Sequence, residues 1–278
     1  MTVRRRVRRP VRRSVRVAPL VALGVLGAIA IVGPWLAPYD PLAQPDPIGM
    51  ASMAPSWAHP FGTDPTSRDV LSRMLGGARV SLGIAGFAVL VAVSLGTTIG
   101  ATAALAGRWT DALLMRTTDA AMAIPRLLLL LTAVAALGSV TPLTLALLLG
   151  ATGWMTTARL VRHETGRLLR GEALRGARAL GVPRARLFRV HLLPALAPTI
   201  GVAATIALAA AIPLEAGLSF LGLGVGPPYP SWGNIILEAE GQVVGRWWLV
   251  FFPTLAIVGT VLMTNLMAER LGDREEPR

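Results

Sequence analysis

Residues 172–194, which read EALRGARALGVPRARLFRVHLLP, combine arginine side chains with helix-breaking residues. The part through Leu180 favours a helix, and Gly181 interrupts it. Pro183 suits the first turn of a second helix, and Pro194 is expected to end the unit. The pattern predicts a helical hairpin whose guanidinium groups would, by charge alone, attract anionic lipid headgroups.

Glu215 is an acidic residue inside a long apolar stretch. A carboxylate near hydrocarbon is costly unless it is paired, hydrated or protonated, so we expect it to face protein or a water-filled pathway. Two roles are open. Glu215 either braces the short helices that follow, through their free N–H groups, or lines the pathway. We favour bracing, because an acid this near the end of a span can reach interfacial partners.

Several kinds of site are excluded. All 27 basic residues are arginine, so no G-x-x-x-x-G-K-[ST] phosphate loop exists. His163 and Glu164 begin an H-E-x-x-H pattern, but Arg167 stands where the second zinc-binding histidine belongs. The glycine-rich run 222–226 follows no strand, which excludes a dinucleotide loop. Without cysteine there is no disulfide, thiol nucleophile or Cys-ligated metal. We expect no catalytic, metal or cofactor site in this chain.

The composition indicates a protein embedded in lipid. Hydrophobic residues make up 53% of the 278 residues and charged residues only 15%. The net charge of +12 could suit a nucleic-acid partner, but the long apolar runs exclude that class. Lipid is the expected surrounding.

Long uncharged runs predict an all-α, polytopic membrane protein with six transmembrane helices, because ~20 apolar residues cross the hydrocarbon core. The first helix is predicted at 17–37, and the other five lie in a core at 80–267. Those five are expected at 80–106, from about Thr117 to a tight turn at 138–142, from that turn to 158, at 195–217 and at 247–267.

Prolines and charged residues mark two stretches, 38–79 and the start of the third span. Residues 38–79 are rich in proline and predict an external loop, in which 67–76 forms a short amphipathic helix. The third span would carry Asp119, Pro125 and Arg126 near its inner end, where an arginine side chain can reach the interface.

The placement of arginine predicts the topology. Putting both termini in the cytoplasm leaves all but four of the 27 arginines on that side, as the positive-inside rule requires. Residues 1–16 and 268–278 are then cytoplasmic tails, and 162–194 is a cytoplasmic loop. The arginines on the outer side are Arg68, Arg73, Arg79 and Arg246.

The basic hairpin resembles the cytoplasmic signature of type I ABC importer permeases of the dipeptide/oligopeptide/nickel branch. That signature is similar to E-A-A-x-x-x-G followed, after nine residues, by I-x-L-P. The matching positions here are Ala177, Gly181, Leu193 and Pro194, whereas Arg175, Gly176 and His191 stand where the family has Glu, Ala and Ile.

Three further motifs extend the resemblance over residues 59–278. The segment 59–82, HPFGTDPTSRDVLSRMLGGARVSL, is similar to H-x-x-G-T-D-x-x-G-R-D-V-L-S-R. The segment 215–234, EAGLSFLGLGVGPPYPSWGN, resembles the outer-loop signature of the branch. The C-terminal NLMAERLGDREEPR follows N-L-L-G-D-G-L-R-D-x-L-D-P-R loosely and keeps Asn265, Leu266, Leu271, Asp273, Pro277 and Arg278.

The resemblance implies one permease of a heterodimer in a prokaryotic inner or plasma membrane, served by an external solute-binding protein. Two cytoplasmic ATPase subunits would bind ATP and Mg²⁺ and hydrolyse ATP. The hairpin would be the coupling helix seated on an ATPase, and its candidate residues are Arg175, Ala177, Gly181, Pro183, Arg184, His191, Leu193 and Pro194. Dipeptides or oligopeptides are the implied solutes, and nickel chelates, opines and glutathione stay open.

A self-contained secondary transporter or channel is the competing class. Such proteins need ionisable groups or broken helices near the middle of the membrane. Here Asp119, Arg126 and Glu215 are all predicted toward the ends of spans, and no inverted repeat is apparent. The pattern therefore favours the importer subunit.

Overall fold

The structure, a computed structural model, describes residues 18–241, 243 and 245–272. All regular elements in those ranges are helices, so the predicted all-α class is confirmed. The basic tail 1–16 and the motif residues Asp273, Pro277 and Arg278 lie outside the described residues.

The helices follow one another with connections of at most four residues, except for the loop between the first two and the loops on either side of α10. They are α1 (Ala18–Leu36), α2 (Val70–Ala106), α3 (Arg108–Ala123), α4 (Arg126–Leu137), α5 (Pro142–Ala151), α6 (Trp154–Leu169), α7 (Glu172–Ala179), α8 (Arg184–Arg186), α9 (Leu193–Phe220), α10 (Trp232–Leu237) and α11 (Trp247–Gly272). A π-helical turn, Leu187–Leu192, joins α8 to α9, so that Arg184–Phe220 is one continuous rod.

Within the described residues, three continuous helices are long and apolar enough to cross a membrane. They are Val70–Ala106, Arg184–Phe220 and Trp247–Gly272. The pair α3 and α4 is a further candidate span, bent by 79° at its break, and Gly24–Leu36 and Pro142–Ala151 are shorter apolar helices. The chain is therefore a multi-pass membrane protein, while the count of six spans and the direction of the termini stay predictions.

The bundle has two ends, which we call the α10 end and the α7 end. At the α10 end, α2 and α5 begin, α9 finishes, and α10 and the start of α11 pack on the first turns of α2. At the α7 end, α2 and α6 finish against the hairpin of α7 and α8. The two candidate regions of the sequence therefore lie at opposite ends of the bundle.

Glycines allow α2 to pack closely along α5 and α6. A Cβ atom on Gly96 would lie 2.7 Å from the carbonyl oxygen of Trp154, and one on Gly150 would lie 2.6 Å from Cβ of Val91. Small residues permit such backbone contacts between helices in lipid, where packing replaces the hydrophobic driving force. These contacts hold α2 as the central helix.

The separate amphipathic helix predicted at 67–76 is wrong. Asp69 caps the first turn of α2, its carboxylate accepting a 2.7 Å hydrogen bond from the Ser72 N–H, and α2 then continues to Ala106. Gly76 and Gly77 do not end the helix, because Pro230 and Trp232 pack directly against them.

The continuous third span predicted from about Thr117 is also wrong. Ile124 and Pro125 have extended backbone angles and separate α3 from α4. Proline lacks the N–H group that a continuing helix needs, and it disfavours helical angles in the residue before it. The tight turn predicted at 138–142 is present, with Gly138 at φ +72°.

Candidate functional site

The predicted hairpin is formed by α7, α8 and the four residues between them. Gly181 lies at φ +75°, in the left-handed region that favours glycine. The Val182 N–H donates to the carbonyl oxygen of Ala177 at 3.2 Å, which closes the end of α7 in a Schellman motif. Gly181 is therefore required by the backbone of the turn.

The base of the hairpin is buried and joins several helices. Leu174 of α7 packs with Leu187 and Leu192 of the π turn and with Leu196 of α9. The same cluster includes buried side chains of α2 and α6, namely Ala101, Val161 and Leu169. A displacement of the hairpin must therefore move the ends of these helices with it.

Most of the predicted coupling residues are exposed. Arg175, Gly181, Pro183 and Arg184 lie together in the hairpin, and Ala177 is half-buried against its base. The exposed residues His191, Leu193 and Pro194 lie farther along the rod, outside the tip.

Leu180 is 86% exposed at the tip of the hairpin, and the sequence argument missed it. Its place directly before the glycine of the turn was the available signal. The tip therefore presents one apolar side chain among arginines.

Pro194 does not end the hairpin unit as predicted. It occupies the first turn of α9, which continues the π turn without a break. In that turn the Leu193 N–H bonds to the carbonyl oxygen of Phe188, five residues back. A π turn changes the hydrogen-bond register of the helix, so the rod continues past Pro194 although that residue has no N–H to donate.

Glu215 is fully buried where α9 meets α2 and α10. The Ser219 hydroxyl donates a 2.9 Å hydrogen bond to Oε1, and the hydroxyls of Ser81 and Ser231 also face the carboxylate. Within the described residues, Oε2 has no well-formed hydrogen bond. Such burial suits bracing better than contact with a pathway.

Two of these serines connect Glu215 to α10. Ser231 caps α10 by accepting a hydrogen bond from the Asn234 N–H at 3.2 Å. The Ser81 hydroxyl accepts one from the Trp232 N–H, also at 3.2 Å. Glu215 thus reaches the start of α10 through serine hydroxyls.

The segment 38–69 forms a folded cap over the α10 end, fastened by four charged side chains. Asp64 is fully buried and pairs with Arg68 and Arg73, and both arginines also pair with Glu238 at the end of α10. Burial would raise the pKa of Asp64, but Arg73 and Arg68 outweigh it and hold that pKa below its usual value.

Further hydrogen bonds fasten the cap. The Trp248 Nε1–H donates to the carbonyl oxygen of Thr63 at 3.0 Å, and His59 Nδ1 lies 2.9 Å from Asp69 Oδ1. The H-x-x-G-T-D motif is therefore largely internal to the cap. The motif is recognisable in the sequence, but its ion pairs are not, although the spacing of Asp64 and Arg68 by four residues is a local signal.

Ionised side chains also connect α3 to α6. Arg162 of α6 pairs through two nitrogens with Asp111 of α3, and Arg159 pairs with Asp119. The sequence predicts Asp119 near the inner end of a continuous span. In the structure it belongs to α3, which meets α4 at the bend of 79°.

The sequence matches known proteins over most of its length. The family described as "binding-protein-dependent transport system inner membrane component" matches residues 96–277. A protein of Brucella suis that is provisionally described as a peptide permease is 40% identical to this chain over 251 residues. The match covers 88% of this chain and 80% of that protein. The dipeptide transport system permease protein DppC of Bacillus subtilis is 32% identical over 272 residues, covering 98% of this chain and 84% of its own length.

The fold is similar to that of a solved transporter chain. Against a chain of the inward-facing MetNI methionine ABC transporter, the TM-score is 0.57 at 17% identity, covering 73% of this chain and 97% of that one. At this level of identity the likeness concerns the fold.

Proposed function

Because this chain belongs to the family of binding-protein-dependent transport system inner membrane components, we propose that it forms half of the translocation pathway for dipeptides, oligopeptides or similar small solutes. It is a permease subunit of an ABC-type importer, which confirms the resemblance inferred from its motifs. The peptide permease and dipeptide permease among its relatives support peptides as solutes. Nickel chelates, opines and glutathione are the alternative solutes.

The α7 and α8 hairpin carries the proposal. Its tip exposes Leu180, Arg175 and Arg184, while its base is packed against α2, α6 and α9. We infer that the tip docks on one of two cytoplasmic ATPase subunits, which bind ATP and Mg²⁺. Closure of the ATPases then displaces the base and with it the ends of the spans.

The remaining assembly follows from the same proposal. A second permease completes the pathway, and an external solute-binding protein delivers solute at the α10 end. Six spans would put both termini on one side of the membrane, and the excess of arginine on that side favours the cytoplasm of a prokaryotic cell, with 1–16 and 268–278 as cytoplasmic tails. The capped α10 end supports this assignment, because its ion pairs give the binding protein a firm surface to meet.

One feature favours a secondary transporter. The sequence predicts one span that includes Pro125, yet α3 and α4 are bent by 79° at this break. Discontinuous helices are common at the binding sites of secondary transporters. The family match favours the ATP-driven class, and the source of energy distinguishes the two.

The test measures uptake of labelled dialanine by cells that express the chain together with the second permease, the ATPase subunits and the binding protein proposed above. We expect uptake to stop when ATP is depleted while the ion gradients are kept, and ATPase subunits to co-purify with the chain. Uptake that follows the ion gradient and ignores ATP would instead identify a secondary transporter.

A further inference from the structure

Arg126 lies near the middle of the bundle and not at a membrane interface. It is the first of the 12 residues of α4, so roughly 18 Å of helix separate it from the turn at the α10 end. Its partner Thr152 directly follows α5, which begins at the same turn and is about 15 Å long. The hydrocarbon core is ~30 Å thick. An arginine at this depth has a functional role more often than a purely structural one.

The Arg126 guanidinium is held in place without being neutralised. Its Nη2–H donates to the carbonyl oxygen of Leu149 at 2.6 Å, and its Nε–H donates to the Thr152 hydroxyl at 3.2 Å. No carboxylate pairs with it in the part of the chain that the structure describes. These bonds use two of its five N–H groups, which leaves three donors and a full positive charge.

Arg126 lines a cavity of about 70 Å³ between α6 and α9. Thr156 contributes a hydroxyl that has no partner among the described residues. The α9 side is formed by Ala203, Ile206, Ala207 and Ala210, whose short alanine side chains leave the space open. Ile206 is 42% exposed, so this face of α9 is not covered by the chain itself.

A fixed guanidinium beside a free hydroxyl, in apolar surroundings, is a carboxylate-binding arrangement. Arginine binds carboxylates through two parallel hydrogen bonds, and these are stronger away from water. We propose that Arg126 and Thr156 form a subsite on the translocation pathway that binds the C-terminal carboxylate of a passing peptide. The proposal rests on the proposed function, since it requires that the solute be a peptide.

The competing explanation is that Arg126 only closes the end of α5 through the Leu149 carbonyl. Arg126→Gln and Arg126→Lys separate the two roles. Glutamine keeps a donor for that carbonyl but removes the charge, whereas lysine keeps the charge. Arg116→Gln is the matched control, because Arg116 is an exposed arginine of α3 away from the cavity.

The experiment compares uptake of dialanine with uptake of dialanine amide at low concentration. The same binding protein serves each variant, so a change in the ratio between variants reports on the permease. We expect Arg126→Gln to lower dialanine uptake about tenfold and to leave amide uptake unchanged, as loss of one charged contact predicts. Arg126→Lys should retain most of the preference, and Arg116→Gln all of it.

A second measurement does not depend on transport. Phenylglyoxal modification of Arg126, read by mass spectrometry in the assembled transporter, should be slowed by dialanine and not by its amide. Equal loss of both uptakes in Arg126→Gln, or modification that dialanine does not slow, would overturn the subsite. Absence of ATP-dependent peptide uptake in the parent would overturn the proposed function, and the subsite with it.

Discussion

Asp64 is the fully buried carboxylate of the α10 end, and it shares Arg68 and Arg73 with Glu238. We expect Asp64→Asn to destabilise the protein by about 3–5 kcal/mol, because it leaves Arg73 buried and short of a partner. Thermal unfolding in detergent measures the loss. Asp40→Asn, at an exposed position in the same loop, is the control and should change little.

The ion pairs of Asp64 also predict how the stability of the protein falls in acid. The pKa of Asp64 is lower in the folded protein than in the unfolded chain, where it is about 3.9. Its contribution to stability is therefore complete above that unfolded value and is lost as the pH falls through the lower, folded value. The parent should lose stability below about pH 4 more steeply than Asp64→Asn, and parallel curves would contradict the assignment.

Glu215 gives a second prediction for a single side chain. Glu215→Gln keeps an oxygen that accepts a hydrogen bond from the Ser219 hydroxyl. Its NH₂ group can donate to the hydroxyl of Ser81 or Ser231, so we expect this variant to be tolerated. Glu215→Ala removes the buried acceptor that these hydroxyls face and should lower the melting temperature. If both variants assemble normally and both lose uptake, Glu215 lines the pathway instead.

Local sequence revealed some of these residues and concealed others. Glu215 was recognisable because an acid in an apolar run is unusual. The contact of Arg73 with Glu238 joins positions 165 residues apart, and no local pattern contains it. Arg126 was noticed, but its depth depended on a break in the helix that hydropathy cannot show.

Among the elements, the hairpin of α7 and α8 offers the sharpest test of coupling. Leu180→Asp and Arg184→Glu alter its exposed tip without touching the buried base. We expect both variants to insert normally and to lose uptake while ATP hydrolysis persists. Arg116→Glu makes the same charge change on α3 and should leave uptake unaffected.

Gly181 is a poor site for that test. Any side chain at φ +75° strains the turn by roughly 1 kcal/mol or more, so Gly181→Trp would disturb the backbone as well as the docking surface. Normal uptake by the two tip variants would remove the coupling assignment without this ambiguity.

The contact of α2 with α6 predicts opposite effects for the same substitution at two glycines. Gly96→Ala should destabilise the protein, because its Cβ would lie 2.7 Å from the Trp154 carbonyl oxygen. Gly86→Ala should be neutral or stabilising by up to about 1 kcal/mol, because open space surrounds that position. The yield of monodisperse protein and the melting temperature measure the effect of each substitution. Equal effects of Gly96→Ala and Gly86→Ala would contradict the packing of α2 against α6.

The elements themselves were predicted unevenly. Uncharged runs located α2, α9 and α11, because a membrane span must be long and apolar. They merged α3 with α4, because the uncharged run from Leu127 to the turn at Gly138 is too short to span a membrane alone and was extended back past Pro125. The π turn at Leu187–Leu192 depends on how the rod packs against α7, which the sequence does not state.

For the whole molecule, the direction of insertion is open to a direct test. The chain has no cysteine, so a single introduced cysteine can be labelled without background. Trp57 and Leu180 are both strongly exposed, and they lie at opposite ends of the bundle, so a cysteine at each position reports which side of the membrane that end faces. We expect an impermeant maleimide to label Trp57→Cys in intact cells and Leu180→Cys only after permeabilisation. The reverse pattern would invert the topology drawn from the arginines.

The rod Arg184–Phe220 runs from the hairpin to the α10 end, where its last two turns carry Glu215, and its 37 residues measure roughly 55 Å. A rotation of about 10° around its centre would shift each end by roughly 5 Å in opposite directions, which is near one helical pitch. The Arg184 end of the rod is packed under the hairpin, and its Phe220 end lies beside α10. A small change in the angle of the rod, without loss of any backbone hydrogen bond, can therefore open one face of the bundle while it closes the other. Pro194, Pro198 and Pro213 lie inside this rod, and each lacks the N–H that a helix hydrogen bond needs. The prolines therefore determine how much of that rotation is absorbed as bending before it reaches the far end.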